Sequence, residues 1–143
     1  MKKLNLGCGD DVKRDFINVD IEKGKGVDMV YDLNKHPLPW KDNSIDYIYC
    51  SHVLEHLKEP TKFMHELHRI CKNDSIVEIF VPHFSMFGSY ADLTHEKPGM
   101  SYFTFGTPNW NKSLYGKFKV KAKLNFTRIN YPSLNNVFNP IIN

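Results

Sequence analysis

Apolar residues along this chain come in short bursts separated by polar turns. Five bursts have strand length: KKLNL (Lys2 to Leu6), FINVDI (Phe16 to Ile21), VDMVYDL (Val27 to Leu33), SIDYIYC (Ser44 to Cys50) and SIVEIFVP (Ser75 to Pro82). Most are rich in β-branched or aromatic residues and all are bounded by Gly, Asp, Asn or Pro, which predicts five strands. Between the fourth and fifth lies PTKFMHELHRICK, the one convincing helix. Pro60 suits a first turn, Phe63, Leu67 and Ile70 recur at i, i+4 and i+7, and Asn73 can take a left-handed cap. Strand, helix, strand at this spacing predicts a right-handed βαβ unit and therefore a mostly parallel sheet.

Two stretches depart from this rhythm. The eleven residues from Gly7 to Ile17 are few for a crossover helix. Extended chain at ~3.3 Å per residue still crosses a strand of ~17 Å, so the first helix is expected to be vestigial. After Pro82 the segment HFSMFGSYADLTHEKPGMSYFTFGTPNW is rich in aromatics, Gly and Pro and reads as an ordered excursion, a common form for a lid. KFKVKAKLNFTRINY then predicts one or two antiparallel edge strands.

With 143 residues, 41% of them hydrophobic, the chain is expected to form a single domain, 1–143. No run approaches the ~18 apolar residues of a membrane span. Cys8, Cys50 and Cys71 form no C-x-x-C pair, so neither a disulfide framework nor a zinc knuckle is suggested, and a reducing, cytoplasmic location is expected. The net charge of +3 hides an asymmetry: residues 1–96 carry −4, and residues 97–143 carry +7 with no acidic residue. That basic third either contacts a polyanion or is an edge strand with its lysines turned outward.

In an open parallel sheet, ligands bind beyond the carboxyl ends of the strands. The residues that close each burst therefore carry the chemistry. The first closes with Gly7-Cys8-Gly9, whose glycines let backbone approach a ligand. The second closes with Asp20, placed to accept hydrogen bonds from a ribose diol, and the third with Asp32. A nicotinamide dehydrogenase is disfavoured, because position 12 is Val12 where G-x-G-x-x-G requires a third glycine.

Taken together, LNLGCG (Leu4 to Gly9), NVDI (Asn18 to Ile21), YDLN with PLPW (Tyr31 to Trp40), NSIDYIYCSHVLEHL (Asn43 to Leu57), FMHELHRICK and IVEIFVPH resemble the class I S-adenosylmethionine-dependent methyltransferases, in particular their small type 11 branch. The resemblance covers roughly residues 3–105. It implies an α/β fold with a minimal doubly wound, Rossmann-like sheet in the order 3-2-1-4-5, with the C-terminal edge strands added. It also implies S-adenosylmethionine as cofactor and methyl transfer to an unidentified acceptor. Gly7, Cys8 and Gly9 would pass under the methionine part, Asp20 would bind the ribose, Asp32 and Leu33 would contact the adenine, and Ser51 would stand on the same rim. Asn5 departs from the pattern, since many relatives have an acidic residue there.

An acceptor that must lose a proton needs a base. His52 is the first candidate, with His95 and Asp92 on the excursion behind it. The string HVLEH also matches the H-x-x-E-H pattern of one class of zinc peptidases. At a strand-to-helix junction beside a cofactor rim it is read differently, with Val53, Leu54 and Leu57 inward and Glu55 and His56 as surface or capping groups, and no metal is expected. Two other function classes stay open: a non-catalytic nucleotide-binding or partner-regulating module on the same fold, and polyanion binding by the basic tail. An exposed edge strand would suit a homodimer.

Overall fold

The computed structural model describes residues 1–97 and Gly99. The expected C-terminal edge strands, the basic tail beyond Lys97 and the single-domain boundary at 143 lie outside the described residues. Five parallel strands form one sheet in the order β3-β2-β1-β4-β5. They are β1 (Lys3–Leu6), β2 (Ile17–Asp20), β3 (Met29–Val30), β4 (Ile45–Ser51) and β5 (Cys71–Phe80). The strand order agrees with the sequence reading, and reversal between β1 and β4 opens the crevice where ligands of such sheets sit.

Helix α1 (Pro60–Ile70) joins β4 to β5. Its Phe63, Met64, Leu67 and Ile70 are buried in one cluster with Leu4, Leu6, Val19, Ile48 and Cys50. Side chains alternate across a strand, so Asn5, Asn18, Tyr47 and Tyr49 face the other side. There the chain between β1 and β2 forms a covering loop and no helix. Phe16 meets the edge of the Tyr47 ring at 5.7 Å, and the Lys13 ammonium lies 4.0 Å from the Tyr49 ring centroid. The vestigial helix of the sequence reading is thus reduced to turns.

A buried amide pair takes the helix's place. Asn5 and Asn18 are register partners on β1 and β2, with 1% and 3% exposure. The Asn5 side-chain amide donates to Asn18 Oδ1 at 3.0 Å and to the Asp11 carbonyl at 2.7 Å. Asn18 Oδ1 also accepts the Lys13 amide at 2.8 Å, while its own Nδ2 donates to the Lys13 carbonyl at 3.1 Å and to Asp28 Oδ2 at 3.1 Å. The loop's backbone groups, which a helix would satisfy internally, are satisfied by two side chains.

Several boundaries move. β3 has only two residues, although the Tyr31 amide continues toward the Asp20 carbonyl at 2.7 Å. α1 ends at Ile70 and Cys71 is already extended at φ −72°, ψ 140°, so Asn73 is no cap. The polar run after Cys71 is instead an irregularity inside β5: Ile45 pairs with Cys71 but Tyr47 with Ile76, and Asp74 takes φ +66°. A two-pronged Arg69 fixes the loop ahead of β4, donating to both Glu66 oxygens at 2.8 and 2.6 Å and to the Leu38 and Trp40 carbonyls at 3.0 Å each. Arg69 in turn holds the Glu66 carboxyl below its ordinary range. The excursion after β5 begins with a short helix, α2 (Gly88–Ala91).

Asn18→Ala should cost about 3 kcal/mol of stability, because it strands the Asn5 amide and the Lys13 backbone groups away from water. Urea unfolding followed by circular dichroism measures this. A loss under about 1 kcal/mol would show that the loop is held by something other than the amide pair.

Candidate functional site

The rim at the carboxyl ends of the strands assembles from short-range causes. Leaving β1, Gly7 takes φ +65° and Gly9 φ +47°, the left-handed region open to glycine at little cost. A side chain at Gly7 would also collide with the Val53 side chain. Gly9 is the opposite case, exposed and with nothing within 4 Å of where its Cβ would stand, so its backbone is open to a ligand. Cys8 between them is buried, and burial first, then the Asp20 carboxylate, raises its thiol above the ordinary range. It packs into the turn as a small buried side chain. Cys50, fully covered beneath the rim, is pushed up to about 12 by the same burial.

Asp20 ends β2 facing the glycine turn. Its Oδ2 accepts the Gly9 amide at 2.7 Å and its Oδ1 the Glu22 amide at 3.1 Å. A carboxylate has about four acceptor positions, so two amides fix its orientation and leave room for a diol. Asp32 is half-buried, turning its own loop by accepting the Asn34 amide at 2.9 Å. Leu33 is 7% exposed and belongs to the core. Ser51 is the last residue of β4. Exposed Gly9, the oriented Asp20 and the strand ends beside them fit the turn, diol and base contacts of a nucleoside-bearing cofactor.

Beyond Ser51 the chain reverses at His52, which has φ +55° and donates its amide to the Phe80 carbonyl at 2.9 Å. Val53, Leu54 and Leu57 turn inward as expected. Glu55 overturns the expectation of a surface group. On the single turn of 3-10 helix Leu54–His56 it is 0% exposed, with Oε1 3.1 Å from His52 Nδ1. The His52 side chain remains 64% exposed.

His95 and Asp92 come to this place from the excursion. Asp92 accepts the Thr94 amide at 2.8 Å and hydroxyl at 2.6 Å, and these bonds hold its carboxyl below the usual range. His95 Nδ1 lies 2.9 Å from the Ser89 carbonyl, and its ring stands edge-on to His56 at 4.7 Å between centroids. The structure thus gathers His52, Glu55, His56, Asp92 and His95 at one end of the rim and Gly7, Gly9 and Asp20 at the other. Sequence reasoning missed the burial of Glu55. Its place between two histidines in HVLEH was the available signal.

The parallel 3-2-1-4-5 sheet with a glycine turn after β1 and an acid after β2 defines a Rossmann-like α/β domain. Residues 5–79, more than half of the chain, match the family described as "Methyltransferase domain", and the chain belongs to that family. Among solved structures it is similar to an S-adenosylmethionine-dependent methyltransferase from Archaeoglobus fulgidus, at 21% identity and a TM-score of 0.59 over 72% of this chain and 56% of that one. It is also similar to a protein of Bacillus halodurans C-125 provisionally described as a methyltransferase, at 15% identity and a TM-score of 0.56 over 72% of this chain and 58% of that one. The chain therefore spans little more than half the length of these relatives, and at such identities the likeness is one of fold. Comparison with curated protein sequences gives no match.

The contact of Gly7 with Val53 ties the glycine turn to the β4 rim. Gly7→Ala should cost about 2 kcal/mol or more, from the left-handed backbone and the collision together. In a double-mutant cycle by urea unfolding, Val53→Ala should cost less in the Gly7→Ala background than in the wild type, because it removes the obstructing side chain. Strict additivity would mean the two residues do not press on each other.

Proposed function

We propose that this chain binds S-adenosylmethionine along the rim and promotes transfer of its methyl group to an acceptor lodged against the excursion after β5. The observation that carries the reading is the Asp20 carboxylate, fixed by the Gly9 amide at 2.7 Å beside exposed glycine backbone, in a chain of the methyltransferase-domain family. Gly7, Cys8 and Gly9 would pass beneath the methionine part and Asp20 would receive the ribose hydroxyls. Asp32 and the Leu33 backbone would border the adenine, with Ser51 on the wall between rim and acceptor. The cofactor supplies an already activated methyl group.

The chain's own task is then mostly alignment and exclusion of water, which hold the acceptor in line with the methyl carbon. His52 is the proposed base where the acceptor must lose a proton. With Nδ1 directed at the buried Glu55 carboxylate, its Nε2 is left to accept a proton. Asp92 and His95 are the second line of polar groups, and Phe84, Phe87 and Tyr90, all exposed, offer apolar surface to an acceptor. Three buried, unpaired cysteines suit a reducing compartment such as the cytoplasm. No helix among the described residues is long and apolar enough to cross a membrane. Pairing of two copies and polyanion contact by the basic tail are secondary proposals, resting on the exposed Ile76 and Phe80 of β5 and on the charge of residues 97–143.

Asp20→Ala should weaken S-adenosylmethionine binding tenfold to a hundredfold, the equivalent of ~1.5 to 3 kcal/mol for a charge-assisted hydrogen bond. Isothermal calorimetry reads the affinity and a melting curve checks the fold. Unchanged affinity in a folded variant would remove the ribose site and the reading with it. Binding without formation of S-adenosylhomocysteine across a panel of acceptors would favour the non-catalytic module.

A further inference from the structure

Glu55 presents a problem the methyl-transfer reading does not solve. Its side chain is fully buried, yet Oε2 has no hydrogen-bond partner while Oε1 is engaged by His52. A carboxylate taken out of water with one oxygen unsatisfied is costly unless a positive charge or donor meets it. Two imidazoles face it: one donor atom from each of Glu55, His56 and His95 lies within 4.8 Å of the other two.

The hydrogen bonds around the rings decide which nitrogens are available. His95 Nδ1 lies 2.9 Å from the Ser89 carbonyl, which can only accept, so Nδ1 carries a proton and Nε2 is the nitrogen that offers a lone pair when the ring is neutral. His56 Nδ1 lies 3.2 Å from the Thr94 carbonyl and 3.1 Å from the Thr94 hydroxyl, whose own proton goes to Asp92 Oδ1 at 2.6 Å. His56 Nδ1 is therefore also the protonated nitrogen. Two histidines anchored through Nδ1–H to backbone carbonyls present Nε2 as the ligand atom, the arrangement that orients imidazole toward a metal.

We propose that Glu55, His56 and His95 bind one divalent transition-metal cation of the Zn²⁺ class, with Oε2 of Glu55 and Nε2 of each histidine as ligands. Two nitrogens and one carboxylate oxygen suit Zn²⁺ and disfavour Mg²⁺ or Ca²⁺, which take oxygen ligands. Tetrahedral donors stand about 3.3 Å apart for bonds of ~2.0 Å, closer than the 4.8 Å within which one ligand atom of each residue lies, so binding requires the three side chains to draw together. Asp92 Oδ2, 3.7 Å from His95 Nε2, stands beside the site. His52 is not a ligand, so the donor set differs from the peptidase pattern that HVLEH suggests, and the proposal departs from the sequence reading that no metal is held. Its consequence is mechanical as well as chemical: the cation would clamp the excursion to the β4 rim, and three protein ligands leave a fourth position for water or an acceptor atom. The proposal rests on these side chains alone and stands or falls separately from methyl transfer.

The test is titration of the full chain, freed of metal by chelator dialysis, with Zn²⁺ and separately with Co²⁺. One equivalent of Zn²⁺ should bind at submicromolar concentration and raise the melting temperature, and Co²⁺ should give the intense visible bands of a four-coordinate nitrogen-containing site. Glu55→Gln and His95→Ala should each weaken Zn²⁺ binding on the order of 100-fold or more, beyond what loss of an outer partner costs. His68→Ala, on the exposed face of α1, should change it less than twofold. Absence of stoichiometric binding by the wild-type chain, or a loss under tenfold in both ligand variants, would overturn the proposal. Should either variant fail to fold, the wild-type Co²⁺ spectrum decides: bands of a six-coordinate aquo ion alone would equally overturn it.

Discussion

The contact between the side chains of Asn5 and Asn18 is the constraint on which the rim depends. A parallel pair of strands has to be joined by a crossover, and the usual crossover satisfies its backbone by becoming a helix. Here the connection is too short for one. The two amides, facing each other across β1 and β2 in register, supply the missing donors and acceptors from inside the sheet. Because the return loop is pinned at Asp11 and Lys13, the chain leaves β1 in a tight turn. Gly9 then meets Asp20, and the candidate ribose site is a direct result of how the loop is satisfied.

That economy is confined to one face. Beneath the sheet, Phe63, Leu67 and Ile70 of α1 are completely buried against Leu4, Leu6 and Ile48. Removing from water a side chain of that size contributes about 1.5 to 3 kcal/mol. This packing holds β4 and β5 beside β1, while Arg69 secures α1 to the loop ahead of β4 through Glu66, Leu38 and Trp40. One face is stabilised by apolar area and the other by hydrogen bonds with a few ring contacts. The strand ends can therefore stay exposed and polar without loss of the fold.

This division also explains what the sequence disclosed. The strands, α1 and the placing of Gly7, Gly9, Asp20 and His52 at the strand ends are legible because apolar periodicity and turn residues report the buried face, whereas the strand order is legible through the family resemblance. The end of α1 was misjudged because Asn73 and Asp74 carry the same turn chemistry whether they cap a helix or kink a strand, and pairing with β4 chose the strand. β3 was read as seven residues because VDMVYDL alternates, yet only Met29 and Val30 pair. In the sequence Asn5 stands out only as a departure from the acidic residue that many relatives have there. Its partnership with Asn18 is a tertiary fact that local sequence does not carry. Glu55 was misplaced for the same reason, since a glutamate in a 3-10 turn is ordinarily solvated.

His52 shows why the β4 rim differs from the other strand ends. Among the described residues, four non-glycine residues have positive φ: Asp15, Asn43, His52 and Asp74. Histidine, like Asn and Asp, is enriched in that region, and His52 sits where an interior strand of the sheet meets the crevice. The reversal it makes swings the following turn back beneath the rim. Val53 is brought against Gly7, and Glu55 is brought inward under the His52 ring. The left-handed backbone of one histidine and the burial of one carboxylate thus belong to the same turn. It sets an ionisable pair at the edge of the crevice, facing the polar residues that arrive from the far side of β5.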